Sequence, residues 1–352
     1  MELKSLLQKI TPADSNAESA ARIHWDTLAK PLGSLGRLED TIVSIAALRG
    51  NADVCIDRRA LLVFCSDNGV VAQGVTHTGS DVTAAVARSL AAGDSTVCHM
   101  ANVARCAVLP VDMGILDFPV VDGVRNFRIR NGTGDISQGP AMSRAECQRA
   151  ILAGTALVKE LAEQGIDIIA TGEMGIGNTT TSSAVASVLL HQPVEEMTGR
   201  GSGLSDAGLQ RKIAAIHRAI DVNTPDPSDP VDVLMKVGGL DIAAMCGAFL
   251  GGAAYRVPVV VDGFISSVAA LCALRMCPDA KKAMVASHVS AEPAGARVLE
   301  ALGLQPLISA AMRLGEGSGA VAALPLLDMA FAVYHSGHTF ENLGIDAYTP
   351  QQ

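Results

Sequence analysis

The sequence predicts an α/β protein built on a doubly wound, mainly parallel sheet, and three observations carry that expectation. Five segments share one layout, an apolar β-branched run, then an abrupt small or acidic turn, then a helical pattern. They are ALLVFCSDNGV (60–70), CAVLPVDMGI (106–115), IDIIATGEMGIGN (166–178), RVPVVVDGFIS (256–266) and KAMVASHVSAEP (282–293). Continuous apolar runs, in place of alternation, are what strands covered on both faces require. Helical stretches such as Arg144–Gln164 and Ile242–Tyr255 separate the runs, which points to crossover connections. Of 352 residues, 49% are hydrophobic and 18% charged, so a large core is easily filled. Only 3% are aromatic, so that core is aliphatic.

Taken in order, MELKSLLQKI reads as a short amphipathic helix stopped near Pro12, and helical pattern resumes on either side of the loop KPLGSLGRLE (30–39). The five strands follow between about residues 60 and 295. NTPDPSDPVD (223–232), with three prolines, reads as a surface turn. ISAAMRL (308–314) and AVAALPLLDMAFAVY (320–334) read as two apolar helical stretches around a glycine loop. The expected division is a large Rossmann-like domain over 55–300 and a small helical domain joining 1–54 to 301–352.

Charge narrows the function. Lys plus Arg is 27 and Asp plus Glu 36, a net charge of −9, and no basic tract exceeds a pair. A nucleic-acid groove or an anionic membrane surface is not expected. Eight cysteines without a C-x-x-C pair read as reduced thiols, most of them buried. The N-terminus mixes charges and lacks an apolar signal core, and the longest uncharged apolar stretch, Ile242–Tyr255, is too short to span a bilayer. A soluble, cytoplasmic protein is expected. His335 and His338 lie three apart late in the last helix, without a clustered ligand set, so no metal is expected.

In an open parallel sheet ligands bind beyond the carboxyl ends of the strands, which here carry Asp67, Asp112, Glu173, Asp262 and Ser290. Four glycine loops stand at the same edge: GEMGIGNTTTSSA (172–184), GRGSGL (199–204), NGTGDISQGP (131–140) and RLGEGSGA (313–320). In the first, a strand runs into the start of a helix, where free N–H groups suit a phosphate. GRGSGL with Lys212 is a second anion candidate. In RLGEGSGA, Glu316 lies between glycines and apolar stretches, a partly desolvated setting that suits a general base. Taken singly, each loop also fits a plain glycine turn, with Lys212 in solvent and Glu316 exposed beside a helix end. The first loop is neither a P-loop nor a dinucleotide fingerprint, and no G-x-S-x-G elbow occurs.

Together these loops resemble one family. KPLGSLGRLE, SDNGV (66–70), GDISQGPAM (134–142), TGEMGIGNTT, GRGSGL with Lys212, KVGGLDIAAMCG (236–247), VDGFIS (261–266), SHVSAEPAGA (287–296) and MRLGEGSGA occur in the order seen in nicotinate-nucleotide:dimethylbenzimidazole phosphoribosyltransferases of cobamide assembly, the CobT type. The resemblance runs from about residue 20 to 335. It implies transfer of phosphoribose from nicotinate mononucleotide to an aromatic lower-ligand base such as 5,6-dimethylbenzimidazole, giving an α-ribazole-type 5′-phosphate and nicotinate. It also implies a homodimer without metal or redox cofactor. Glu316 would be the catalytic base and Glu173 the second catalytic carboxylate. Gly175, Gly177, Asn178, Thr179, Thr180, Gly201, Gly203 and Lys212 would line the phosphate side. Asp262 and Ser290 would line the nucleotide pocket, with Ser80, Leu314 and Gly315 also binding substrate.

Two departures stand out. The family's usual Asp-His-Gly-Val reads Asp67-Asn68-Gly69-Val70 here, and Ala85-Val86-Ala87 replaces a stretch that commonly supplies a glutamine to the base. Two alternatives therefore remain at this stage. One is a relative that uses phenol or p-cresol as half of a heterodimer; the other is a non-catalytic partner subunit of such a complex.

Overall fold

The computed structural model of the chain describes residues 2–201 and 203–348. Helices α1 (Leu3–Lys9), α2 (Ser15–Thr27) and α3 (Arg37–Arg49) precede strand β1 (Arg59–Ser66). Then come α4 (Asp81–Ala92), α5 (Thr96–Val103), β2 (Ala107–Gly114), β3 (Arg125–Asn126), α6 (Arg144–Glu163) and β4 (Ile168–Met174). The chain continues through α7 (Asn178–Leu190), α8 (Val194–Met197), α9 (Asp206–Asn223), α10 (Pro230–Val237) and α11 (Leu240–Tyr255) to β5 (Val259–Val261). It closes with α12 (Phe264–Met276), β6 (Met284–Ala286), α13 (Gly295–Leu302), α14 (Ser318–Tyr334) and α15 (Phe340–Leu343).

The strands form one parallel sheet in the order β3-β2-β1-β4-β5-β6. All five predicted runs are strands. The sixth, β3, is a two-residue edge strand of Arg125 and Asn126, too short and polar to leave an apolar signature. Every residue of β1 is buried. Its side chains alternate between two cores: Leu62 and Phe64 meet α6, α7, α11 and α12, whereas Leu61, Val63 and Cys65 meet α3, α5 and α14. That double cover explains the unbroken apolar runs.

Local signals set the helix ends. Ser143 and Glu146 form a capping box on α6, and Asp229 caps α10 with Pro230 in its first turn, which resolves the proline-rich turn. ISAAMRL departs from its expected helix. It is irregular, with Ser309, Ala310, Ala311, Arg313 and Leu314 exposed and Ala311 at φ +51°. An apolar pattern with no face to bury against does not make a helix. α14 also ends at Tyr334, leaving His335 and His338 beyond it. The chain's two ends meet through the scarce rings: Trp25 and Tyr334 pack edge to face at 5.0 Å, and His24 bonds the Tyr334 carbonyl at 2.7 Å.

Candidate active site

From β1 the chain first builds β2 on one side and then crosses to β4 on the other, so the strand order reverses at β1–β4. A crevice at such a switch point is the expected ligand site of an open α/β sheet. A cleft opens there, over the ends of β4, β5 and β6, roofed by the loop that enters α14. Its two ends differ in charge.

Carboxyl groups occupy one end. Glu173, the penultimate residue of β4, is 8% exposed, and burial pushes its carboxyl up to about 8, with Asp241, Asp262 and Glu316 adding to the rise. Its surroundings therefore favour the protonated form. Asn178, the first residue of α7, donates through Nδ2 to Glu173 Oε2 and to Asp241 Oδ2. Glu316 stands opposite on the loop before α14. Its Oε2 accepts the Val97 N–H at 3.2 Å, in the first turn of α5. Gly315, Glu316 and Gly317 have φ of +93°, +58° and +89°, so a glutamate is held in a left-handed conformation that is costly for any side chain with a Cβ. The backbone there is tightly enclosed. A Cβ on Gly172 would overlap the Glu316 carbonyl oxygen, and one on Gly315 would lie 2.6 Å from Glu173 Oε1. Asp262 anchors the first turn of α14, just after that loop, by accepting the Ala320 N–H at 2.9 Å. Burial raises its carboxyl, and His288 beside it opposes the rise.

Cationic groups stand at the other end, with the Glu292 carboxylate beside them. Lys212 of α9 is 1% exposed; its Nζ donates to Thr179 Oγ1 at 2.8 Å and to the Gly199 carbonyl at 3.1 Å. Burial brings its ammonium down to about 8, a cost that an anion in the cleft would offset. Arg200 and Arg313 also border the cleft. Consecutive residues of α7 thus serve opposite ends, Asn178 the carboxyls and Thr179 the lysine.

The structure brings Glu316, Glu173, Gly175, Gly177, Asn178, Thr179, Gly201, Lys212, Asp262, Ser290, Leu314 and Gly315 together around this one cleft. Thr180, Gly203 and Ser80 stand apart from its lining. Thr180 is the next residue along α7, turned fully into the core. Gly203 lies in an exposed turn, and Ser202 of the same loop is outside the described residues. Ser80 precedes α4 and faces Asp67 with Thr83. Sequence reasoning passed over Arg200, His288, Arg313 and the buried Asp241. Arg200 and Arg313 lie inside the glycine loops GRGSGL and RLGEGSGA; Asp241 had one cue, an acid in the first turn of an otherwise apolar helix. Among the described residues no group of His, Cys, Asp and Glu side chains is arranged to hold a metal, and no helix is long and apolar enough to cross a membrane. All eight thiols are free, with Cys55 exposed and Cys277 partly so.

A family model described as phosphoribosyltransferase matches residues 10–345. The chain is 47% identical over 326 residues to the nicotinate-nucleotide–dimethylbenzimidazole phosphoribosyltransferase of Acetivibrio thermocellus, covering 93% of each chain. It is 44% identical over 350 residues to the enzyme of the same name from Ruminiclostridium cellulolyticum, covering 99% of each. The crystal structure of CobT from Thermus thermophilus superposes with a TM-score of 0.89 at 37% identity, over 95% of this chain and all of that one.

Proposed function

This chain belongs to the nicotinate-nucleotide–dimethylbenzimidazole phosphoribosyltransferase family, and on that premise we propose a reaction for its cleft. Nicotinate mononucleotide gives its phosphoribosyl group to 5,6-dimethylbenzimidazole or a related aromatic base, yielding an α-linked ribotide and nicotinate for cobamide assembly. The observation that supports it best is the arrangement of the cleft, with Lys212, Arg200 and Glu292 at one end and Glu173 and Glu316 at the other, so that the buried ammonium of Lys212 lies apart from the Glu173 and Glu316 carboxyls. Of the substrate's charges, the 5′-phosphate suits the Lys212 ammonium and the cationic ring nitrogen on the ribose suits the Glu316 carboxylate.

The chemistry follows from that placement. When the ribose–nitrogen bond breaks, its electron pair returns to the pyridinium ring, which leaves as nicotinate. An acceptor nitrogen on the opposite face forms the new bond, which inverts the β linkage to α. The N–H proton of the acceptor must then go to a base, and Glu316 is the carboxylate aimed into the cleft from that loop. Orientation and general-base removal of this proton supply the acceleration, the second about 10²–10⁴-fold. Glu173, protonated at neutral pH, presents a donor beside the sugar instead of a second negative charge. Bonds and electrons balance without metal or redox cofactor. The working unit under this reading is a cytoplasmic homodimer.

Purified protein supplied with nicotinate mononucleotide and a panel of benzimidazoles, purines and phenols tests the reading, with products identified by mass. Turnover of a benzimidazole supports it. Turnover of phenols alone, or activity only after addition of a second similar chain, would replace it.

A further inference from the structure

Behind the carboxyl end of the cleft, two unpartnered oxygens lie beside the same glycine. Asp241 in the first turn of α11 is fully buried, and Asn68, just past β1, is 1% exposed. Neither Asp241 Oδ1 nor Asn68 Oδ1 has a hydrogen-bond partner. Both border Gly239, where a Cβ would lie 2.5 Å from the first and 2.8 Å from the second. Asn68 cannot simply turn its amide round, because its Nδ2 donates to the Ile176 carbonyl at 3.3 Å. Two buried acceptors beside one glycine are unfavourable unless one of them carries a hydrogen. The carboxyl is the group that can take one.

We propose that Asp241 is a positioning residue held as a neutral carboxylic acid, its Oδ1–H donating to Asn68 Oδ1 while its Oδ2 fixes Asn178. Asn178 then holds the Glu173 carboxyl at the cleft by its second hydrogen. The surroundings favour the neutral form. Glu173 from β4, Asp67 after β1 and the Cys65 thiol in β1 face Asp241 and bring no positive charge. Asn178 and the α11 backbone amides are the opposing donors, and burial outweighs them, pushing the carboxyl up to about 6; the bond to Asn68 Oδ1, open only to the neutral form, raises it further.

The effect on turnover rests on the proposed use of Glu173; the protonation state does not. Two variants separate the possibilities. In Asp241→Asn the amide reproduces both bonds, donating to Asn68 and accepting from Asn178. It is expected to fold normally and keep kcat/KM within about threefold, with an unchanged pH profile. Asp241→Leu leaves Asn178 with a single acceptor. It is expected to lose about 10–100-fold in kcat/KM and to move the pH limb set by Glu173. Loss in Asp241→Asn equal to that in Asp241→Leu would overturn the neutral acid. So would a potassium dependence of stability present in the native protein and absent from Asp241→Asn, which would place a cation between the two oxygens. A folded Asp241→Leu protein with native activity and pH profile would overturn the positioning role.

Unfolding provides an arm independent of activity. The folded carboxyl titrates above its unfolded value of about 3.9, so its stabilisation is full below that pH and lost as pH rises through the folded value, about 6 from burial and higher with the Asn68 bond. Asp241→Asn should lack this loss, giving a flatter Tm profile between those limits. Equal slopes in the two proteins would overturn the proposal even if no acceptor were ever turned over.

Discussion

Two helices start at the cleft from the same pattern of glycine, any residue, glycine and a polar residue. Gly175-Ile176-Gly177-Asn178 opens α7 and Gly315-Glu316-Gly317-Ser318 opens α14. Each helix begins behind a left-handed glycine, φ +94° at Gly177 and +89° at Gly317, and neither has a side-chain cap. The difference lies before that glycine. Only Gly177 is left-handed in the first loop, where the Ile176 N–H is tied to Thr83 Oγ1 at 3.1 Å. In the second, three residues in succession are left-handed and the middle one is glutamate. One loop aims an amide and a hydroxyl with a relaxed backbone. The other aims a carboxylate at a backbone cost of about 1–2 kcal/mol, which the packing around it must sustain.

The largest effect expected from breaking this contrast is in Glu316→Gln. It should keep the fold, because the amide oxygen can still accept from Val97, and lose about 10²–10⁴-fold in turnover. Turnover near the native rate would remove Glu316 as the base. Next come the paired glycines. Gly317→Ala combines left-handed strain with overlap on Leu61 and should cost about 2–4 kcal/mol in denaturant unfolding. Gly177→Ala meets Val71 Cγ2 at 3.0 Å, the end of a side chain that can shift, and should cost about 1–2 kcal/mol. Equal costs would show that the two starts are enclosed alike.

Lys212→Met should raise KM for the nucleotide about tenfold or more with a smaller change in kcat. The native protein should reproduce part of that change as pH passes about 8, where the buried ammonium of the empty cleft loses its proton. Stability should move the opposite way. The unfolded lysine stays charged to about 10.4, so between the two values the unfolded chain binds more protons and the native fold gains stability. Lys212→Met should lack that gain. The smallest effect on turnover is expected from Thr83→Val, which leaves the Ile176 N–H unpaired and removes a donor from Asp67, for about 1–2 kcal/mol in stability. Its pH profile should match the native one, and a shifted limb would mean that the relaxed loop also tunes the carboxyl end.

The sheet was legible because its central strands are covered on both faces, which makes burial visible as unbroken runs of Val, Leu, Ile and Ala. β3 was not, because an edge pairing of Arg125 with Asn126 rests on backbone bonds. The cleft was legible where glycine and a charged residue adjoin in sequence, as at Glu173, Glu316 and the loop before Lys212. Asp241 and His288 were not, since their importance comes from what tertiary folding brings beside them. ISAAMRL misled for a related reason. Its apolar residues have the spacing of a helix, but no surface receives them, and the segment lies open at the roof of the cleft.

Gly172 lies in the middle of a buried strand, where an alanine would ordinarily be read as a matter of packing. A Cβ there would overlap the carbonyl oxygen of Glu316, so the added methyl group would push the Glu316 loop itself. A substitution at a position no substrate reaches would then register as a defect in turnover among variants that still fold. Over evolutionary drift the two positions are bound together. Replacing glycine in the strand requires the loop above it to be re-routed, which ties one core residue to the proposed chemistry of Glu316.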